Sequence, residues 1–232
     1  MVITIKNLFL DNNVIIGYIY VLDNLNPESE EIVNSDNQLY YSYHVKSEIN
    51  EVTLRKDEEY SKFFSLLSSK LRKHKNNEFL SQSIFHNFID NAKPINKLSI
   101  ENMHYAFEYI WQDFGFGENQ LVSEIKFKLN NFIVDFDNKH ITKQNDFIKT
   151  ANYIPAHRQK DSKIINLVNS KSLNDDLHGE DENILFDLHE YSKRHPELNL
   201  VLISWDKRFI KVVSQIINEL SFNKYICLED TS

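Results

Sequence analysis

The apolar positions of this chain fall into two kinds of run. Short, unbroken runs bounded by polar residues lie near both ends: Leu8-Phe9-Leu10, and Leu200-Val201-Leu202-Ile203 beginning after Asn199. Runs this short, without alternation, predict strands of a sheet covered on both faces. Each ends in a carboxylate, Asp11 and Asp206. Each is then followed by helical spacing: Val14 to Leu22 after the first, and Phe209, Val212, Val213, Ile216, Ile217 and Leu220 after the second. The first strand can extend back to Val2, and Lys224 to Leu228 predicts a last strand before the polar tail Glu229 to Ser232.

Between these ends the pattern is mostly helical. Asn24 to Gln38, with Pro27 and several acids, reads as a loop and a mobile edge. Leu39 to Ser42 predicts a short strand or the lead-in to a helix that Ser42 caps. Val45, Ile49 and Val52 form one apolar stripe with Glu48 near its border. Tyr60, Phe63, Phe64, Leu67 and Leu71 mark an amphipathic helix from Glu58 to His74. Residues 77–98 suggest another helix ending before Pro94, Ser99 caps a clear one through Trp111, and Gln120 to Phe136 reads as a further helix. Residues 138–154 are weakly patterned, with a helical stretch around Phe147 and Ile148, and stop at Pro155, and Ile164 to Val168 predicts a short helix or strand. After a polar stretch to Gly179, Ile184, Leu185, Leu188 and Tyr191 mark a helix whose first turn, Glu180-Asp181-Glu182, is acidic, and Pro196 ends it. The aromatic residues of the middle recur at the helical period and read as core rather than as a platform for stacking bases.

Composition narrows the classes. At 232 residues, 41% hydrophobic and 12% aromatic, the chain can bury a proper core as one domain, or as one domain with a large insertion. No apolar run approaches the roughly 20 residues that cross a bilayer, the N-terminus lacks the features of a signal peptide, and the single cysteine, Cys227, leaves no internal disulfide. These point to a cytoplasmic protein without membrane contact. Four glycines leave no Gly-rich phosphate loop, since Gly115 and Gly117 follow a helical stretch. A formal charge of −8 argues against a general nucleic-acid coat. Two local basic groups remain, Lys62, Lys70, Arg72, Lys73, His74 and Lys75, and His157, Arg158, Lys160 and Lys163. Each reads as a solvated helix face or as a phosphate-facing surface.

Four acids stand out by position: Asp11 and Asp206 after strands, Glu48 on a helix and Asp181 at a helix start. Each has an ordinary alternative, as an Asx cap, an exposed helix former or an acid favoured by the helix dipole. If the two strands share one parallel sheet, Asp11 and Asp206 meet at one edge, where open α/β sheets bind ligands. Clustered like charges require a compensating cation or proton. Oxygen donors without grouped Cys or His suit Mg²⁺ or Mn²⁺ rather than Zn²⁺, and the nine histidines show no zinc spacing. Such ions support hydrolysis of phosphate esters.

These segments resemble the four acidic motifs of the PIN-domain nucleases. Leu10-Asp11-Asn12-Asn13-Val14-Ile15-Ile16 is similar to the family's opening motif, with Asn two residues after the acid. His44-Val45-Lys46-Ser47-Glu48-Ile49 resembles the second, Glu180-Asp181-Glu182-Asn183-Ile184-Leu185 the third, and Leu202-Ile203-Ser204-Trp205-Asp206-Lys207-Arg208-Phe209 the fourth. The resemblance covers roughly residues 1–60 and 165–232. It implies a three-layer α/β/α sandwich around a mainly parallel sheet, one PIN-like domain over 1–232 with about 60–165 as an enlarged helical insertion. It further implies a Mg²⁺- or Mn²⁺-dependent ribonuclease acting on single-stranded or structured RNA. Asp11, Asp181 and Asp206 would hold metal, Glu48 would hold metal or orient water, and Asn13 and Ser204 would support them. Glu180 competes with Asp181, and Trp205 is unusual beside the fourth acid. The expectation extends to the toxin of a toxin–antitoxin pair, with an antitoxin as partner, and to a homodimer. The alternatives are a catalytically weak module binding RNA or protein, and a haloacid-dehalogenase-like phosphatase. The phosphatase needs a second Asp where Asn13 stands.

Overall fold

The structure is a computed structural model and describes residues 7–157, 160–170, 173, 177, 180–222 and 224–228. The extension of the first strand to Val2, most of the polar stretch before Gly179, Arg158 and the tail from Glu229 lie outside the described residues. In chain order the elements are β1 (Asn7–Leu10), α1 (Asn12–Ile19), α2 (Asn26–Val33), β2 (Gln38–Ser42), α3 (Tyr43–Leu71), β3 (Phe79–Ser81), α4 (Gln82–Asp90) and α5 (Ile100–Asp113). They continue with β4 (Asn119–Leu121), α6 (Val122–Thr150), β5 (Asn152–Ile154), α7 (Ser162–Ser170), α8 (Asp181–Arg194), β6 (Val201–Ser204), α9 (Lys207–Ile216) and β7 (Lys224–Cys227).

The chain forms two units. The first comprises Met1–Tyr18, Pro27–Glu51 and Asn145–Ser232, and the second Ile19–Asn26 and Val52–Gln144. In the first, five parallel strands pair in the order β5-β2-β1-β6-β7. Leu8 stands opposite Leu39 on one side and Val201 on the other. Phe9, Leu10 and Leu202 are wholly buried. Consecutive burial is what a parallel sheet covered on both faces requires, and each such side chain contributes about 1.5–3 kcal/mol relative to exposure. The α/β class with a parallel sheet is therefore as the apolar runs predict. The chain steps from β1 to β2 to β5 in one direction, then returns to β6 and β7 on the other side of β1. Right-handed crossovers in opposite directions send their helices to opposite faces, an arrangement compatible with helix, sheet and helix layers.

In the second unit the helical segments 52–71, α4, α5 and 122–144 enclose an aromatic core that includes Tyr60, Phe63, Phe85, Phe107 and Phe136. Ser99 accepts from Asn102 N (3.1 Å), the expected cap of α5. Gly115, at φ 64°, ends that helix in the left-handed conformation that glycine adopts without Cβ strain.

Four expectations need correction. Residues 26–33, read as loop, form α2, and its Ser29 is fully buried. The two helices expected around Val45 and Tyr60 are one, α3, because residues 53–57 contain no breaker. Residues 79–81, read as helix, pair antiparallel with β4. Residues 138–150 are helical around Phe147 and Ile148 as expected, as the end of α6, but 152–154, for which the pattern predicts no strand, form β5, a three-residue edge strand ahead of Pro155. In the last two cases a distant strand supplies the backbone partners, which local periodicity does not reveal.

Candidate metal centre at the ends of β1 and β6

The sheet reverses direction between β1 and β6, and ligands of open α/β sheets bind outside the carboxyl ends of strands at such a switch. Asp11 follows β1 directly, and Asp206 stands two residues beyond the end of β6. Asp11 N donates to Ile203 O (3.0 Å), continuing the ladder by one step. Asp11 is 2% exposed, and donors surround its carboxylate: Asn12 N to Oδ1 (2.7 Å), Ser204 Oγ to Oδ2 (2.6 Å) and Asn13 Nδ2 to Oδ2 (3.0 Å). Ser204 Oγ also accepts from Asp206 N (2.9 Å), and Asn13 Oδ1 accepts from Trp205 N (3.1 Å). Asn13 and Ser204 thus tie the two strand ends together. Asp206 also caps α9, its Oδ1 accepting from Arg208 N (2.8 Å) and Phe209 N (3.1 Å). Arg208 Nε lies 4.0 Å from that same oxygen, the outer limit of an ion pair.

The other two acids are coupled to Asp11 through charge. Burial, the largest cause, lifts Asp11 to about 6 against the hydrogen bonds it accepts, and the charges of Asp181 and Asp206 add to the rise. Glu48, on α3, is lifted to about 7, first by burial and then by the charges of Asp11, Asp181 and Glu180. Glu48 Oε2 is buried without a hydrogen-bond partner. Glu180 pairs with His44 Nδ1 (2.8 Å) and accepts from Asn183 Nδ2 (2.6 Å). Asp181, the first residue of α8, raises both Asp11 and Glu48. Asp11, Glu48, Asp181 and Asp206 therefore share one electrostatic neighbourhood. Among the described residues, however, no three of them bring ligand oxygens within 4.8 Å of one another.

The donor set fits a hard divalent cation: carboxylate oxygens only, one of them orphaned by burial, with surplus negative charge. A second cluster does reach 4.8 Å, formed by Asp161, His189 and Glu190. There His189 Nδ1 accepts from Ser221 N (3.0 Å), so Nε2 carries the proton and faces Asp161 Oδ2 at 3.6 Å. Lys193 Nζ also holds that oxygen, at 3.0 Å. An imidazole locked in this tautomer has no lone pair for a metal, and the cluster reads as an ion-pair network in which the buried His189 Nε2 falls short of a hydrogen bond.

Sequence reasoning missed Asp187, 2% exposed on α8. Its Oδ1 accepts from His157 N (3.1 Å), its Oδ2 has no hydrogen-bond partner, and burial raises its pKa. The available signal was an acid in the middle of the apolar stretch Ile184 to Leu188. Trp205, the unusual neighbour of Asp206, is held by its indole Nε1 donating to Ser29 Oγ of α2 (3.3 Å). In comparison with known proteins, no family model, no curated protein and no solved structure matches this chain.

Proposed function

We propose that the chain is a divalent-metal-dependent phosphodiesterase of the nuclease type, with a PIN-like three-layer core and RNA as substrate. One observation carries the reading. Adjacent parallel strands lead into Asp11 and Asp206 at the switch of the sheet, with Asp181 and Asp206 raising the protonation of the buried Asp11, and Asp11 and Asp181 that of Glu48. Asp11, Glu48, Asp181 and Asp206 would hold Mg²⁺ or Mn²⁺, which when bound would polarise a phosphate oxygen and acidify water. The protein's own contribution is positional. Ser204 and Asn13 fix the Asp11 carboxylate, and the α9 cap fixes Asp206. Glu48 would hold the metal or orient water. Lys70, Arg72, Lys73 and Lys75 are available to phosphate in the second unit.

The test is cleavage of end-labelled RNA and DNA oligonucleotides with Mg²⁺, Mn²⁺ or chelator. Metal-dependent RNA cleavage is expected, falling by about 100-fold or more in Asp11→Asn and in Asp206→Asn while circular dichroism is unchanged. Activity retained in both variants, or no turnover with either ion, rules the reading out. Among the described residues no three of these carboxylates come within 4.8 Å of one another, which favours a second reading, a module that binds RNA or a protein partner without cleaving. Oligonucleotide binding without turnover would select it. Under the first reading the role extends to a toxin neutralised by an antitoxin, and to a homodimer.

A further inference from the structure

The hairpin of α4 and α5, within the second unit, carries a chain of polar side chains. Gln82, His86 and Asp90 follow one another at four-residue steps on α4, as do His104 and Glu108 on α5, and residues so spaced share a helix face. Gln82 Nε2 donates to Glu108 Oε2 (2.8 Å), and His86 Nε2 meets Glu108 Oε1 (2.9 Å). His104 Nε2 meets Asp90 Oδ1 (2.7 Å). The Nδ1 atoms of His86 and His104 stand 2.9 Å apart. Beneath them Phe85 stacks on Phe107 with centroids 5.2 Å apart, and Phe107 meets the His86 ring edge to face at 5.3 Å.

A carboxylate only accepts, so each Nε2 facing one carries a hydrogen, and in a neutral imidazole Nδ1 is then a bare lone pair. Two bare lone pairs at 2.9 Å repel, so an electrophile belongs between them. A third proton or a metal cation can fill that role. Charge favours the metal: with neutral rings the Asp90 and Glu108 carboxylates leave a double negative charge, which a divalent ion cancels and a proton only halves. Donation of the second ring N–H to a carboxylate is also how metal-bound histidines are held and made more basic. Nitrogens bound about 2.0–2.1 Å from a tetrahedral zinc ion lie about 3.3 Å apart, so to admit one the pair must open slightly and both rings, now facing head-on with centroids 5.1 Å apart, must turn toward the ion.

We infer that His86 and His104 bind a borderline divalent transition-metal cation, with Zn²⁺ as the type, through their Nδ1 atoms, water completing the coordination. Nitrogen donors select such ions over Mg²⁺ and Ca²⁺. The two imidazoles are 29% and 26% exposed, so solvent and ion reach them. This site is independent of the carboxylates at the ends of β1 and β6.

The test uses the full chain without an affinity tag, stripped with chelator and titrated with Zn²⁺ by calorimetry and with Co²⁺ by visible absorption. With saturating Mg²⁺ present to occupy the carboxylates at the ends of β1 and β6, one equivalent is expected to bind. His86→Ala and His104→Ala should each weaken binding by about 100-fold, and Asp90→Asn and Glu108→Gln by about 10–100-fold. Asp11→Asn should leave it unchanged. Thermal unfolding checks that each variant folds. Should an alanine variant fail that check, His86→Gln and His104→Gln replace it with polar side chains that cannot supply the ring nitrogen. The inference is overturned by no saturable binding, by equal binding in both histidine variants, or by binding that Asp11→Asn removes. A shared N–H···N proton resonance persisting at saturating Zn²⁺ would overturn it too, because the proton would then be the occupant.

Discussion

The two units hold their excess negative charge in opposite ways. At the ends of β1 and β6, Asp11 is buried among donors from Asn12, Asn13 and Ser204, and its neighbours of like charge push its protonation upward. On the α4–α5 hairpin, each carboxylate is spaced by an imidazole, so donors and acceptors alternate from Gln82 to Asp90. The first arrangement stores repulsion and suits a hard ion bound by oxygen. The second is satisfied everywhere except at one nitrogen–nitrogen contact and suits a softer ion. The lesson is that acidity alone does not identify a site: what distinguishes the two is which atoms are left without a partner.

The largest expected effect breaks the contrast by removing one side of it. Phe85→Ala leaves a cavity beneath the hairpin and should destabilise the chain by about 3–5 kcal/mol in urea unfolding. A loss below 1 kcal/mol would mean that the aromatic stack does not hold the histidine pair.

Next comes pH. Burial holds the Asp11 carboxyl at about 6 in the folded chain, against 3.8 for an ordinary aspartate. Between these values the folded state binds more protons, so the contribution of Asp11 to stability falls as pH rises through this window. In chelator, the stability difference between the native chain and Asp11→Asn should move by about 3 kcal/mol against the native chain from pH 4 to pH 7. A flat difference would mean that Asp11 is not buried as an acid. Saturating Mg²⁺ should reduce the slope if the carboxylates hold it.

A smaller change sharpens how the strand ends are joined. Ser204→Ala removes the hydroxyl that donates to Asp11 Oδ2 and accepts from Asp206 N. It should cost about 1–3 kcal/mol and push the Asp11 pKa further up, both readable by pH-dependent unfolding. The smallest effect concerns the hairpin. Ser99→Ala removes the cap of α5 and should cost about 1 kcal/mol, measured by thermal unfolding.

Much of the sheet was legible because its central strands are uninterrupted apolar runs. Leu8 to Leu10 and Val201 to Ile203 can be buried on both faces in only one way. Asp11 and Asp206 were legible for the same reason, since a strand end and a following helix place them, whereas Asn13 and Ser204 were expected only from the resemblance of their motifs. The rest was hidden by tertiary pairing. Phe79 to Ser81 and Asn152 to Ile154 become strands only because β4 and β2 supply hydrogen-bond partners. Ser29 gave no sign in an acidic segment that it would be buried against an indole. His86 and His104 lie on different helices, so no spacing rule along one helix could join them.

The short β5 at the margin of the sheet sets how far the sheet can grow. It offers three residues, and Pro155 follows immediately with no amide hydrogen to give. A second chain seeking to lengthen the ladder there would find almost nothing to grip, so self-association by strand addition is blocked on that side by length and by ring chemistry alike.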